Sequence, residues 1–197
     1  MSDLAHLPGE DEVIVAIPPR FPNSEEIELL WRIGLFSSEE ERALRKLWQV
    51  LRGQTDDYLD RVLGMVAAYP ALAAALAVIY REHSGESADG SATVRRLFRE
   101  WLSETCLSPR EPSWFKRLYS PDPDLPLERS ARPIAAEWPG FRYLIALSFP
   151  LVATARSLLV GSGFAPQEIE RMQSALLKAI LLQVTLLSRL YVKEGFW

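Results

Sequence analysis

The stretch from Pro166 to Trp197 sets the tightest limit on what this chain can become. Ala165-Pro166-Gln167-Glu168 opens it, and proline suits the first helical position because that N–H has no intrahelical partner. No glycine or proline follows until Gly195. The spacing therefore predicts a helix of roughly 26 to 29 residues, about 40 Å long. Ile169, Met172, Leu176, Ile180, Val184, Leu187 and Tyr191 recur at steps of three and four and form one ridge. Leu177, Leu181, Leu186 and Leu190 form a second ridge that widens the apolar face past half the circumference. Arg171, Ser174, Lys178, Thr185 and Arg189 leave only a thin polar stripe. A helix this apolar must be covered on two sides, so it is a central core helix, an oligomer interface, or both.

With 197 residues, 48% of them hydrophobic, the chain can bury one sizeable core. The expected organisation is an irregular arm over residues 1–23 and one domain over 24–197. Net charge is −4 with both signs interspersed, which gives no nucleic-acid surface. The lone cysteine, Cys106, excludes an intrachain disulfide framework and fits a reducing cytoplasm. Met1-Ser2-Asp3-Leu4 lacks the basic start and apolar core of a signal peptide. Uncharged apolar runs fall short of the roughly 18 to 20 residues a membrane span needs. A soluble cytoplasmic domain is the expectation.

In chain order, Pro8, Gly9, Pro18, Pro19 and Pro22 surround a short run, Val13 to Ile17, in the arm. Asn23-Ser24-Glu25-Glu26 reads as a capped helix start, and that helix should end near Gly34. Ser38-Glu39-Glu40-Glu41 has capping-box form, and Leu44, Leu47, Trp48 and Leu51 follow at helical spacing. Gly53 marks a bend; periodicity resumes at Tyr58, Leu59, Val62, Leu63 and Val66, and stops before Tyr69-Pro70. Residues 71–80 read as an Ala/Leu-rich helix, 81–91 as a loop, and 92–105 as an amphipathic helix carrying Leu97, Phe98, Trp101 and Leu102. Prolines from Pro109 to Pro133 leave room only for a short helix over Ser113 to Tyr119. A helix from Gly140 to Leu159 should kink at Pro150, and Gly161-Ser162-Gly163 turns the chain into the last helix. No strand alternation is backed by hairpin turns, so the class is all-α with about eight helices.

The residue types that carry chemistry are sparse. His6 reads as a solvated arm residue, and His83 as a helix-end or surface residue with a ligand role as the alternative. Cys106 reads as a small buried hydrophobe, since no nearby histidine supports a thiolate. Asp122 with Asp124, and Glu100 with Glu104, read as solvated carboxylates rather than metal ligands. Gly161-Ser162-Gly163 lacks the lysine and strand of a phosphate loop. Trp31, Trp48 and Trp101 fall at core-periodic positions, which favours packing over a cofactor role. No catalytic set and no metal site is visible, so no enzyme is expected.

Several ordered stretches resemble the protoglobins and the related globin-sensor domains: Glu26 to Leu30 with Ser38 to Glu41, Phe98 to Cys106, Arg142 to Ala146 through Phe149-Pro150, and Gln183-Val184 through Tyr191 to Trp197. The resemblance runs from about residue 12 to the C-terminus with similar spacings. It implies a globin fold with an extra N-terminal helix and long C-terminal helices. It also implies a haem pocket between the helix around Phe98 and the proline-rich stretch, homodimerisation through helices 140–160 and 166–191, and no attached output domain.

The chain departs from the family where the iron should be held. The proximal histidine follows the tryptophan that Trp114 matches, and counting on lands near Asp124-Leu125 inside a proline run with no histidine. The family's distal Trp-Tyr pair aligns with Val62-Leu63, which removes the hydroxyl that hydrogen-bonds a bound gas, while Phe98 is kept. The resemblance thus points to a sensing or binding module that has lost haem. Its pocket would be filled by side chains or take a small apolar ligand, lined by Val62, Leu63, Phe98, Leu102, Leu144 and Leu147. The alternative is a haem protein for oxygen or another gas, with an unusual axial ligand such as His83 or Tyr119. A third reading has the last two helices dock a partner protein.

Overall fold

Asn23 begins the first helix through a reciprocal cap. Its Oδ1 accepts from the Glu26 amide at 2.8 Å, and Glu26 Oε2 accepts from the Asn23 amide at 2.9 Å. From there α1 (Ser24–Ile33) runs to Gly34. A computed structural model of the chain describes residues 22–70, 72–73, 90–111 and 141–188. The expected arm before Pro22, the helix at 71–80 beyond residues 72 and 73, residues 81–89 of the loop expected over 81–91, most of the proline-rich stretch, and the tail after Ser188 lie outside the described residues; Gly90 and Ser91, expected in that loop, instead begin a helix. His6, His83, Tyr119, Asp122 and Asp124 also lie outside the described residues.

The remaining described helices are α2 (Ser38–Leu51), α3 (Thr55–Ala67), α4 (Gly90–Leu107), α5 (Phe141–Leu159) and α6 (Pro166–Leu187). The described residues form no strand, so the fold is all-α. The bend at Gly53 separates α2 from α3, and the Thr55 hydroxyl donates to the Leu51 carbonyl at 3.0 Å across it. Ala165 precedes Pro166 at the first helical position of α6, as the sequence predicts. Gly163, at φ +80°, occupies the left-handed region that glycine enters without steric cost.

The cap of α2 is Ser37, not Ser38. The Ser37 hydroxyl accepts from the Glu39 amide at 3.1 Å, and Glu40 accepts from the Ser37 amide at 2.8 Å and from its hydroxyl at 2.6 Å. Two adjacent serines offer two registers, and tertiary contacts select one. Glu41, which a Ser38 cap would use, instead accepts from Arg110 Nε at 2.7 Å. Arg110 also reaches Glu28 at 3.0 Å and the Phe36 carbonyl at 3.1 Å. Its guanidinium lies 5.9 Å from the ring centres of both Trp31 and Phe36, so one side chain clasps the α1–α2 corner.

Packing is not sequential. α6 lies against α2 and α5, and also meets α4 and α1; α2 also packs on α4 and α5; α3 packs on α5 and α4. Eleven of the 22 residues of α6 are buried, including Ile169, Met172, Leu176, Ile180, Val184 and Leu187 from the first predicted ridge. Each such side chain contributes about 1.5–3 kcal/mol on leaving water. Leu177 and Leu181 of the second ridge are only half-buried.

The predicted polar stripe of α6 needs one correction. Lys178 is not a free solvated residue: its Nζ donates to Glu40 at 2.5 Å and to the Leu35 carbonyl at 3.0 Å. Leu35 has φ +51°, a conformation that costs a non-glycine residue on the order of 1 kcal/mol. The lysine thus ties that strained corner to the middle of α6. At neighbouring Gly34, a Cβ would come within 3.0 Å of both Leu182 methyl carbons, so the corner sits directly on α6.

α5 departs from expectation in a second way. The uncharged run between Arg142 and Arg156 is shorter than a span, yet Phe141–Leu159 has the length and mean hydropathy to cross a membrane. Ser148, Thr154, Ala155, Leu158 and Leu159 are buried, and the helix continues through Pro150. Only 28% of its most apolar window is covered, leaving Ile145 and Phe149 on an outer face at 40% and 61% exposure.

Burial alone would raise the pKa of Glu40, but the Lys178 ammonium and the Ser37 hydroxyl and amide outweigh it and hold the carboxyl down to about 2. Its folded pKa lies below the free value of 4.5, so this contact contributes fully above about pH 4.5 and is lost as pH falls toward 2. Lys178→Met should lower stability at neutral pH by about 1–2 kcal/mol. It should also flatten the loss of stability through the acid range in urea unfolding. Parallel pH slopes for the two proteins would refute the linkage.

Candidate functional site

Arginines of α4 pair with aspartates of α3. Arg95 meets Asp60 at 2.6 Å and Arg99 meets Asp56 at 3.0 Å, one helical turn apart. These groups are one-third to one-half exposed, so each pair contributes at most about 1 kcal/mol, and their effect is alignment. The alignment sets Phe98 edge-on to Tyr58, with ring centres 5.3 Å apart at 69°. Tyr58 is fully buried and donates its hydroxyl to the Leu151 carbonyl at 2.8 Å, which links the cluster to α5.

One turn further along α4, Trp101 lies 5.3 Å from Phe98, and its Nε1 donates to Gln183 Oε1 of α6 at 3.1 Å. Gln183 Nε2 in turn donates to Thr105 Oγ1 at 3.0 Å. Gln183 is 3% exposed and Thr105 is fully buried. Indole is a donor only, so the carboxamide oxygen must face Trp101 and its nitrogen must face Thr105. One buried polar chain therefore crosses from α4 to α6 beside the aromatic cluster.

Of the six residues assigned to the pocket, five lie in or against the one hydrophobic core of the described helices. Val62 and Leu102 belong to the buried core, and Phe98, Leu144 and Leu147 pack half-buried against it. Leu63 is half-buried and, among the described residues, is not part of that cluster. Successive helical residues point about 100° apart, so Val62 and Leu63 do not share a face. Sequence reasoning missed Gln183 as a site residue. Its signal was its position, three after Ile180 and seven after Leu176, on the apolar ridge rather than on the polar stripe.

The described donors beside this cluster do not fit an iron-bound haem. An axial thiolate or phenolate must give up its proton. Burial pushes the Cys106 thiol up to about 12, and burial together with the neighbouring Cys106 pushes the Tyr58 phenol up as well. Tyr58 already spends its proton on Leu151. Glu100, read from the sequence as solvated, pairs with Arg96 at 2.9 Å. No three His, Cys, Asp or Glu side chains converge among the described residues. A separate open hollow of about 510 Å³ lies at the α2–α3 bend, lined by Arg52, Gly53, Gln54, Thr55, Asp56, Asp57 and Arg99, and shares no residue with the apolar set. Trp31 and Trp48 pack in or against the core, as their spacing predicts.

No protein-family model and no curated protein sequence matches this chain.

Replacing Gln183 by Leu removes both hydrogen bonds and leaves Thr105 without that partner in an apolar surround. Gln183→Leu should cost about 1–3 kcal/mol in urea unfolding and shift the emission of Trp101 relative to wild type. A neutral result in both would show that the polar chain holds nothing.

Proposed function

We propose that this chain is a protoglobin-like globin-fold module that senses or binds without haem and without catalysis. The observation that carries the reading is Trp101: beside Phe98, where the resemblance would put a prosthetic group, an indole from α4 bonds to Gln183 of α6. On this reading the indole takes up part of the space that a prosthetic group would need. Non-sequential helix packing around a central final helix supports a globin-type arrangement over an up-and-down bundle. Along the sequence, neither His6 nor His83 falls near the proximal position by Asp124-Leu125. The buried thiol and the mixed surface charge support a cytoplasmic setting, away from nucleic acid and membrane.

Hemin titration of the purified protein tests this. No Soret band should develop at one haem per chain. A sharp band at that stoichiometry, abolished by His83→Ala or Tyr119→Phe, would favour the gas-binding alternative and sink the haem-free reading.

The same reading includes a homodimer through α5 and α6. Ile145 and Phe149 on the outer face of α5, with half-buried Leu177 and Leu181 on α6, supply an apolar surface for a second copy. Light scattering at micromolar concentration should give twice the chain mass, and Phe149→Glu should give one. A wild-type monomer would remove the dimer from the proposal.

A further inference from the structure

We propose that α1 is a latch: it undocks from α6 while the other described helices stay folded, and its docking reports how α4 is set against α6. The docked helix carries two local costs. Trp31 is 1% exposed, yet its indole N–H finds no hydrogen-bond partner. A donor buried in this way forfeits the bond that water would give it. Two residues further on, Leu35 is held at φ +51°, a region that a residue with a Cβ enters at a cost. Undocking hands the N–H to water and lets Leu35 relax, so both costs favour the open form. The helix itself buries little against them. Trp31 is its one buried residue, Ile27 and Leu30 are half-buried, and Leu29 and Ile33 stay exposed.

Two cations from other elements close the latch. Lys178 of α6 donates to the Leu35 carbonyl at 3.0 Å. Arg110 donates to Glu28 of α1 at 3.0 Å, to Glu41 of α2 at 2.7 Å and to the Phe36 carbonyl at 3.1 Å. Both cations are about one-third exposed, so water competes for these bonds and they can open and reform. The placing of Arg110 supplies the coupling. The Ser108 amide donates to the Glu104 carbonyl at 2.8 Å, and the Glu111 amide to the Ser108 carbonyl at 3.2 Å, so Arg110 sits in a turn continuous with the end of α4. Thr105, on that last part of α4, accepts from Gln183 of α6. The two cations are thus carried by the same two helices that the Trp101–Gln183–Thr105 chain joins. A shift of α4 along α6 moves one clasp relative to the other, and α1 docks fully only when both are in place. The inference holds whether or not the chain takes haem.

Native-state hydrogen exchange of the full chain in sub-denaturing urea tests this. The α1 amides and the Trp31 indole N–H should exchange together, roughly 100-fold less protected than the α6 amides and with a shallower dependence on urea. Glu28→Gln removes only the α1 partner of Arg110 and should speed α1 exchange about two- to fivefold. Gln183→Leu, whose lost bonds go to α4, should speed α1 exchange roughly fivefold or more, because coupling between two contacts acts in both directions. Should that variant not fold, Thr105→Val loosens the same joint. Equal protection and equal urea slopes in α1 and α6 would mean that α1 leaves only on global unfolding, and would overturn the proposal. So would a Trp31 indole N–H that stays protected while the α1 amides exchange, or α1 exchange left unchanged by Glu28→Gln. Unchanged α1 exchange on loosening the Gln183–Thr105 joint would overturn the coupling on which the proposal stands.

Discussion

The burial of α6 is the constraint on which the rest of this structure depends. A 22-residue helix with half its residues buried cannot sit at an edge, so α2 and α5 cover two sides while α4 and α1 meet it elsewhere. That demand explains why the packing order departs from the chain order. It also explains why polar side chains on α6 are engaged. Lys178 fastens the α1–α2 corner through Glu40 and Leu35, and Gln183 fastens α4 through Trp101. Apolar area supplies most of the stabilisation, and these two residues supply the register.

Local features were legible in the sequence wherever the deciding groups are close along the chain. Asn23 and Glu26 cap each other three residues apart, Gly53 ends α2, and Pro166 starts α6, all readable from short windows. The Ser37 register was not, because the choice between adjacent serines depends on Arg110 and Lys178, 69 and 138 residues from the glutamates they hold. The candidate site divides in the same way. That Val62, Phe98, Leu102, Leu144 and Leu147 lie in or against the core follows from their periodicity. Leu63 was included through alignment with a family pair, although helix geometry turns it off the face of Val62. Gln183 looked like a misplaced polar residue on an apolar ridge, and only the facing indole and hydroxyl give it a role.

The aromatic cluster ties the described helices together more directly than a passive core would. Tyr58, Phe98 and Trp101 form a chain of ring contacts that reaches α5 through Leu151 and α6 through Gln183. The chain of contacts therefore joins four helices, α3 to α6. In a sensing domain, such a chain would carry the state of the pocket to the surfaces of α5 and α6.

Pro150 gives that surface a further property. A proline has no N–H, so the Ala146 carbonyl one turn earlier lacks its helical donor, and Ala146 is exposed beside Phe149. Water can serve that oxygen on the free face, but a covering partner must either supply a donor or enclose the water. The face is thus apolar in its side chains and thirsty in its backbone. Any tight association there is expected to trap solvent at its centre, and its strength will depend on how well that one oxygen is served.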